Sequence, residues 1–115
     1  MTLSQTNFTC ANIGANTVTL TVTDNNGNVS TCTATVTVQD VTPPVAVCQN
    51  LTIQLNAAGA ASITPAQIDN GSSDACGIQS LVLSQTNFTC AHVGANTVTL
   101  TVTDNNGNVS TCTAT

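Results

Sequence analysis

The amino-acid sequence predicts an all-β fold, an antiparallel β-sandwich built from tandem repeats of about 80 residues. Three observations predict it. Apolar and hydroxyl side chains alternate through several short segments, turn signals separate these segments, and one stretch of the chain recurs almost unchanged. Alternation with a period of two places one kind of side chain on each face of a strand. Short strands with turn signals roughly every 8–12 residues are typical of antiparallel sandwiches.

The repeat is the dominant feature of the chain. Leu3–Thr35 and Leu83–Thr115 align with only two differences. The differing pairs are Asn12/His92 and Ile13/Val93. One unit is therefore about 80 residues long, and the chain holds nearly one and a half units.

Residues 1–40 are predicted to be the C-terminal half of one repeat. Met1–Cys10 should contain a short strand with Phe8 directed inward, and Ala11–Asn16 should turn around its glycine. The first methionine lies in the middle of a repeat and does not open a signal peptide. We therefore expect a fragment of a longer secreted chain.

A hairpin closes this half repeat. Apolar residues alternate with threonines over Thr17–Thr23, and the same pattern resumes over Val29–Gln39. The intervening Asp24–Asn28 contains Asn-Gly, a strong hairpin signal between two such runs. Asp24 is expected to accept backbone N–H groups in an Asx-type turn.

Residues 41–115 are predicted to be the next repeat, lacking its last strand segment. Pro43-Pro44 marks the boundary, because consecutive prolines cannot extend a β-ladder and form a stiff linker. Val-Thr-Val-Gln-Asp, present at Val36–Asp40, has no counterpart after Thr115. The predicted strands are Val45–Asn56, Ala60–Ile68 (ending near Pro65), Ile78–Ser84, Thr97–Thr103 and one from Val109 onward.

The composition excludes several classes of function. The 115 residues include no Lys or Arg, and the formal net charge is −5. A nucleic-acid partner is excluded because the chain has no Lys or Arg side chain to neutralise the phosphate groups. Membrane insertion is excluded because no apolar run is long enough to span a bilayer. Phe8 and Phe88 are the only aromatic residues, so the core must consist of small aliphatic side chains, and such thin cores usually need a covalent cross-link.

Six cysteines meet that need, four of them in each full repeat. No Cys-x-x-Cys pair occurs and the single histidine is absent from the other copy, which argues against zinc. Disulfides in an oxidising, extracytoplasmic compartment are the better interpretation. The cysteines are Cys10, Cys32, Cys48, Cys76, Cys90 and Cys112.

The acidic residues offer a calcium hypothesis and no catalytic one. Asp40, Asp69 and Asp74 could coordinate Ca²⁺, which prefers several oxygen ligands. Asp104 is a weaker candidate, because Asp-Asn-Asn-Gly-Asn lacks the spacing and closing Glu of an EF-hand loop. His92 has no partners at the spacing of a catalytic triad. We expect it to be a surface substitution for the Asn12 of the other copy, and we expect no enzyme activity.

Several motifs together carry a family resemblance. They are Thr42-Pro43-Pro44, Cys48 ahead of a strand, Asp74-Ala75-Cys76-Gly77, Val93–Val98, Thr103–Asn108 and Cys112. In this order they resemble the HYR (hyalin repeat) family of immunoglobulin-like domains, most closely the tandem copies in giant surface adhesins of gliding bacteria of the SprB type. The resemblance covers residues 41–115 nearly end to end, and residues 1–40 as the back half of a preceding copy. It implies an immunoglobulin-like sandwich.

The implied sandwich suggests a disulfide pattern. In an immunoglobulin-like sandwich the first strand enters at the pole where the last hairpin turns. This favours Cys48–Cys112, with Cys76 paired to Cys90 and the partners of Cys10 and Cys32 outside the fragment. The alternative is Cys48–Cys76 with Cys90–Cys112, and Cys10–Cys32 would then also close within the chain.

The resemblance and the repeat imply a structural role. We expect a stalk or spacer of a long extracellular, cell-surface adhesin or filament, serving cell adhesion or gliding motility. Its partners would be neighbouring identical repeats, with surface glycans or other cells as further candidates. One alternative is a self-assembling filament subunit completed by a strand from a neighbour. Another is a carbohydrate-binding module of a secreted protein, which would normally need an exposed aromatic platform.

Overall fold

The computed structural model describes all 115 residues, and every pair of neighbouring strands is antiparallel. The all-β prediction is therefore confirmed. Single 3₁₀ turns lie at Cys10–Asn12 and Cys90–His92. The remaining elements are β1 (Thr2–Leu3), β2 (Gly14–Thr23), β3 (Val29–Val38), β4 (Ala60–Ser62), α1 (Pro65–Ile68), β5 (Ile78–Leu83), β6 (Asn87–Thr89), β7 (Val98–Asp104) and β8 (Val109–Ala114).

The chain divides into two compact units, Met1–Asp40 and Val41–Thr115, here called unit 1 and unit 2. Unit 1 is one sheet in the order β1-β2-β3. β2 and β3 pair over ten residues each, and Val18 is the one hydrophobic residue of this unit that is buried. Phe8, predicted to point inward, is half-buried.

One face of this hairpin is a surface of threonines, here called the threonine face. The register places the threonines of β2 directly opposite those of β3. Directly opposite side chains in an antiparallel pair lie close enough to interact, and threonine pairs are favourable. The cross-strand pairs are Thr17↔Thr35, Thr19↔Thr33 and Thr21↔Thr31.

Unit 2 contains a three-stranded sheet, β5-β7-β8, and a two-stranded sheet, β4-β6. β7 alternates strictly, with its apolar residues buried and its threonines partly exposed. Side chains from both sheets and from α1 pack in one core. Its buried members are Ile63, Ile68, Leu83, Phe88, Val98, Leu100, Val102 and Ala114.

The predicted first strand of unit 2, Val45–Asn56, is wrong. This segment makes only isolated bridges, Val45↔Ser73 and Cys48↔Asp69. Leu51, Ile53 and Leu55 alternate as a strand would, but alternation alone does not supply a partner. From Thr52 to Leu55 the backbone has no hydrogen-bonding neighbour, so this part of the segment forms no strand.

The predicted strand Ala60–Ile68 also needs correction. β4 ends at Ser62, and Pro65 begins the single helical turn α1. Proline fits the first position of a helix, where its missing N–H would have no intrahelical partner. The side chain of Gln67 accepts a 2.8 Å hydrogen bond from the Thr64 N–H and so caps the N-terminus of α1.

The repeated turn has the same geometry in both copies but different surroundings. Asp24 Oδ1 accepts the N–H groups of Asn26 and Asn28 at 2.8 and 2.9 Å, which confirms the Asx-type turn. Asp104 accepts the corresponding two N–H groups at the same distances. Asp24 is exposed, whereas Asp104 has 0% of its surface exposed. In unit 2, the side-chain amide of Asn105 donates to the carbonyl oxygen of Cys76, and its backbone N–H donates to that of Gly77. These two hydrogen bonds hold the loop before β5 against the turn.

Candidate functional site

A disulfide joins the irregular start of unit 2 to its sheet. Cys48 and Cys112 are bonded, with their Cα atoms 5.9 Å apart and a sequence separation of 64. Cys112 lies in β8 opposite Leu100, which is fully buried. The first of the predicted pairs is thus present, and the bond holds a segment that makes only isolated bridges against the core.

The predicted Cys76–Cys90 pair does not form. Cys90 is a free, exposed thiol, whereas Cys76 is disulfide-bonded. Cys90 lies in a 3₁₀ turn, and its Sγ is 3.9 Å from the carbonyl oxygen of Gly59. The thiol therefore faces the turn before β4. The alternative pairing of Cys48 with Cys76 is excluded by the bond between Cys48 and Cys112.

The cysteines of unit 1 also differ from expectation. Cys10 is disulfide-bonded, and Cys32 is a free, exposed thiol, so the two do not pair with each other. Cys32 lies in the middle of β3 opposite Leu20, within a continuous ladder. The prediction that Cys10 pairs with a residue outside the fragment is therefore wrong. The same prediction for Cys32 stays a prediction.

Two of the three aspartates suggested for calcium, Asp69 and Asp74, are engaged in local turns. Asp69 Oδ1 accepts the Ser72 N–H at 3.0 Å, and Asp74 Oδ2 accepts the Cys76 N–H at 2.9 Å. Asp40 is the last residue of unit 1, and Asp69 and Asp74 lie in unit 2. These contacts are those of turn-forming carboxylates. Calcium binding stays a prediction.

His92 has a structural contact that the sequence reasoning missed. Its Nδ1 accepts the Thr89 N–H at 3.0 Å, as Asn12 Oδ1 accepts the Thr9 N–H at 2.9 Å in the other copy. The imidazole also meets Phe88 edge-on, with ring centroids 5.6 Å apart. Both side chains can accept a hydrogen bond at the same place, so the exchange of Asn for His preserves the turn.

An apolar groove of about 480 Å³ opens in unit 2 and is here called the edge groove. One wall is Leu51–Leu55, and the other includes Gly94–Asn96. The floor is the core itself, and Thr115 lies at one end. The floor residues are Ile63, Ile68, Phe88 and Val98.

Both walls of the edge groove carry backbone groups without partners. Leu51 donates its N–H to Thr115 O at 3.3 Å, and from Thr52 to Leu55 the backbone forms no hydrogen bond. Gly94–Asn96 lies outside β7, whereas its repeat equivalent Gly14–Asn16 is fully paired in β2. Two open edges above an apolar floor can accept an extended segment.

Other features bear on the alternatives. Phe88 is only 7% exposed and Phe8 is half-buried, so neither forms an exposed aromatic platform for a sugar. No helix of the structure has the length and apolar character required to cross a membrane. The disulfide fits an oxidising compartment.

The chain was also compared with known proteins. No family model, curated protein or solved structure matches it, so the comparisons assign neither a family nor a function.

Proposed function

We propose that the chain is a structural segment of a long extracellular, cell-surface adhesin or filament, in which HYR-type immunoglobulin-like repeats form a stalk or spacer. The observation that carries the proposal is the near-identity of Leu3–Thr35 and Leu83–Thr115, with two differences between them. Specific binding sites would tend to diverge between copies. A spacer needs only length, which identical copies supply.

Three structural features support this role. The two sheets of unit 2 share one core, as in a sandwich. The Cys48–Cys112 disulfide links the beginning of the unit to its last strand, so tension would pass through a covalent bond. Pro43-Pro44 at the start of unit 2 would restrict bending between neighbouring repeats.

Tandem arrays test the proposal. A complete repeat is residues 41–115 followed by the sequence of Val36–Asp40, and arrays of two, four and eight such repeats can be made. Small-angle X-ray scattering should show a maximum dimension that grows in proportion to the number of repeats. The matched control replaces Pro43 and Pro44 by glycine in every repeat and should bend more.

Two outcomes would contradict a spacer. A maximum dimension that rises only as about the square root of the repeat number would indicate a flexible string of domains. Saturable binding of a single copy to one glycan on an array would favour the carbohydrate-binding alternative. A silent glycan array together with rod-like scattering would leave the spacer as the explanation.

A further inference from the structure

Three Asn-Gly pairs occur in the chain, and each lies in a turn or loop. An asparagine that precedes glycine can modify itself, because the glycine amide nitrogen can attack the asparagine side-chain carbonyl carbon and close a ring. Glycine favours this attack because it has no side chain to block the approach and adopts backbone angles that other residues rarely reach. The pairs are Asn26-Gly27, Asn70-Gly71 and Asn106-Gly107.

In the two repeated turns the attacking nitrogen is engaged. The Gly27 N–H donates to the Asp24 carbonyl oxygen at 3.2 Å, and the Gly107 N–H donates to the Asp104 carbonyl oxygen at 3.4 Å. The asparagine before each glycine is anchored as well, because its own N–H donates to the aspartate Oδ1 at 2.8 Å. Attack in these turns must first break a hydrogen bond, so both pairs are protected.

In Asn70-Gly71 both reacting groups are unengaged. The Gly71 N–H and the Asn70 side-chain amide form no hydrogen bond within the chain, and both residues are exposed. Gly71 has a φ of +86°, and nothing lies within 4 Å of the position that a Cβ would occupy. The attacking nitrogen and the amide that must leave are therefore both accessible to water.

We propose that Asn70 is a self-modification site whose only co-reactant is water. The Gly71 nitrogen bonds to Asn70 Cγ, its proton passes to solvent, and the Cγ–Nδ2 bond breaks to release ammonia. Water then opens the succinimide at one of its two carbonyl carbons. Opening at Cγ leaves an aspartate in a normal main chain, and opening at the main-chain carbonyl leaves an isoaspartate. The net reaction turns an amide and a water into a carboxylate and an ammonium ion, without oxidation or reduction.

The site lies in a loop that holds the beginning of unit 2. The Asn70 N–H donates to the Val47 carbonyl oxygen at 2.8 Å. On the other side of the glycine, Val45 and Ser73 exchange two backbone hydrogen bonds of 2.7 and 3.0 Å. These three hydrogen bonds are here called the clasp.

The two products should affect the clasp differently. Isoaspartate routes the main chain through the side chain and so adds one carbon between the two ends of the clasp. The partners Val45 and Val47 stay two residues apart, so the lengthened loop cannot keep all three hydrogen bonds in register. Aspartate adds a negative charge but keeps the main chain unchanged. Formation of isoaspartate should therefore loosen the clasp with age, whether or not the chain serves as a spacer.

Peptide mass spectrometry of the folded protein, aged at mildly alkaline pH, tests the site. Pepsin digestion after reduction separates the three pairs, because pepsin cleaves beside phenylalanine and leucine in acid, where the ring closes slowly. Asn70 should convert first, and Asn26 and Asn106 should react about fivefold more slowly, the factor that one ordinary hydrogen bond contributes. Asn70→Gln should be inert at this position, because the longer side chain would have to close a larger ring.

The reduced and denatured chain is the matched control. Without the fold, no glycine N–H is held by an aspartate carbonyl oxygen, so the three pairs should react at similar rates. A preference for Asn70 that appears only in the folded protein assigns the selectivity to the structure.

Amide hydrogen exchange measured by NMR tests the effect on the clasp. In aged protein the N–H groups of Val45 and Ser73 should exchange faster, in proportion to the isoaspartate content measured by enzymatic methylation. The variant Asn70→Asp supplies the charge without the longer main chain and should leave both exchange rates unchanged. The exchange rate of Leu100, in the core, should stay the same in all samples.

Three results would overturn the proposal. One is conversion of Asn26 or Asn106 as fast as Asn70 in the folded protein. Another is a preference for Asn70 that persists undiminished in the denatured chain, because the fold would not then be its cause. The third is unchanged exchange at Val45 and Ser73 in protein rich in isoaspartate.

Discussion

Replacing Cys48 and Cys112 by alanine should remove most of the net stability of unit 2. The disulfide closes a loop with a sequence separation of 64. In the chain-entropy model, opening a loop of this length costs about 4 kcal/mol. Small domains have net stabilities of about 5–15 kcal/mol, so the loss would be a large fraction of the total.

Denaturant unfolding followed by circular dichroism measures this loss. The matched control is Cys32→Ala/Cys90→Ala, which removes two exposed free thiols and should change the free energy of unfolding by less than about 0.5 kcal/mol. If the two double variants unfold at the same denaturant concentration, the cross-link does not stabilise the unit and the reasoning fails.

Single-molecule pulling tests the same bond, because an intact disulfide keeps the residues between its two cysteines from extending under force. With handles at Val41 and Thr115, tension reaches Cys48, crosses the disulfide and leaves from Cys112. The bypassed separation of 64 residues corresponds to about 220 Å of extended chain, at about 3.5 Å per residue. Reduction should release that length. An equal contour length before and after reduction would show that the bond does not carry the load.

Three further predictions concern the repeated turn. Asp104→Ala should destabilise the protein by about 2–4 kcal/mol in thermal unfolding, because it removes a fully buried carboxylate that accepts the N–H groups of Asn106 and Asn108. Asp24→Ala should cost less because Asp24 is exposed, and equal costs would contradict this explanation. The Asn28 side-chain amide, followed by two backbone N–H groups, holds the pKa of Asp24 below its ordinary value of 3.8. The stabilising effect of Asp24 is therefore present above pH 3.8 and lost as the pH falls through the lowered pKa. Asn28→Ala should raise the titration midpoint of the Asp24 carboxyl group measured by NMR, and an unchanged midpoint would refute this cause. Gly77→Ala should destabilise the protein by about 1–3 kcal/mol, because φ of Gly77 is +97° and the new Cβ would lie 2.7 Å from Asn105 Nδ2. An unchanged melting temperature would contradict this steric explanation.

Sequence patterns predicted the strands whose partners the chain itself supplies. Alternation placed the hairpin strands over Thr17–Thr23 and Val29–Gln39, and β2 and β3 cover both ranges to within a few residues. The same reasoning failed for Leu51–Leu55, which alternates equally well. A strand requires a hydrogen-bonding neighbour, and the neighbour is a property of the assembled sheet that a local pattern does not contain.

One local signal was present but misinterpreted. Pro65 was expected to end a strand, yet Thr64 and Gln67 flank it with the spacing of a helix start. The edge groove could be anticipated only in part. The alternating apolar residues of one wall, Leu51–Leu55, were visible in the sequence, but the apolar floor depends on how Ile63 and Phe88 pack.

The threonine face has a consequence for the conditions under which the protein can work. Water meets this surface through hydroxyl groups, which donate and accept hydrogen bonds without carrying charge. The five carboxylates have no lysine or arginine to pair with, so exposed ion pairs of that kind contribute nothing to the fold. Dissolved salt screens charges but not hydroxyl hydration. The hydration of this face should therefore vary little between fresh water and brine.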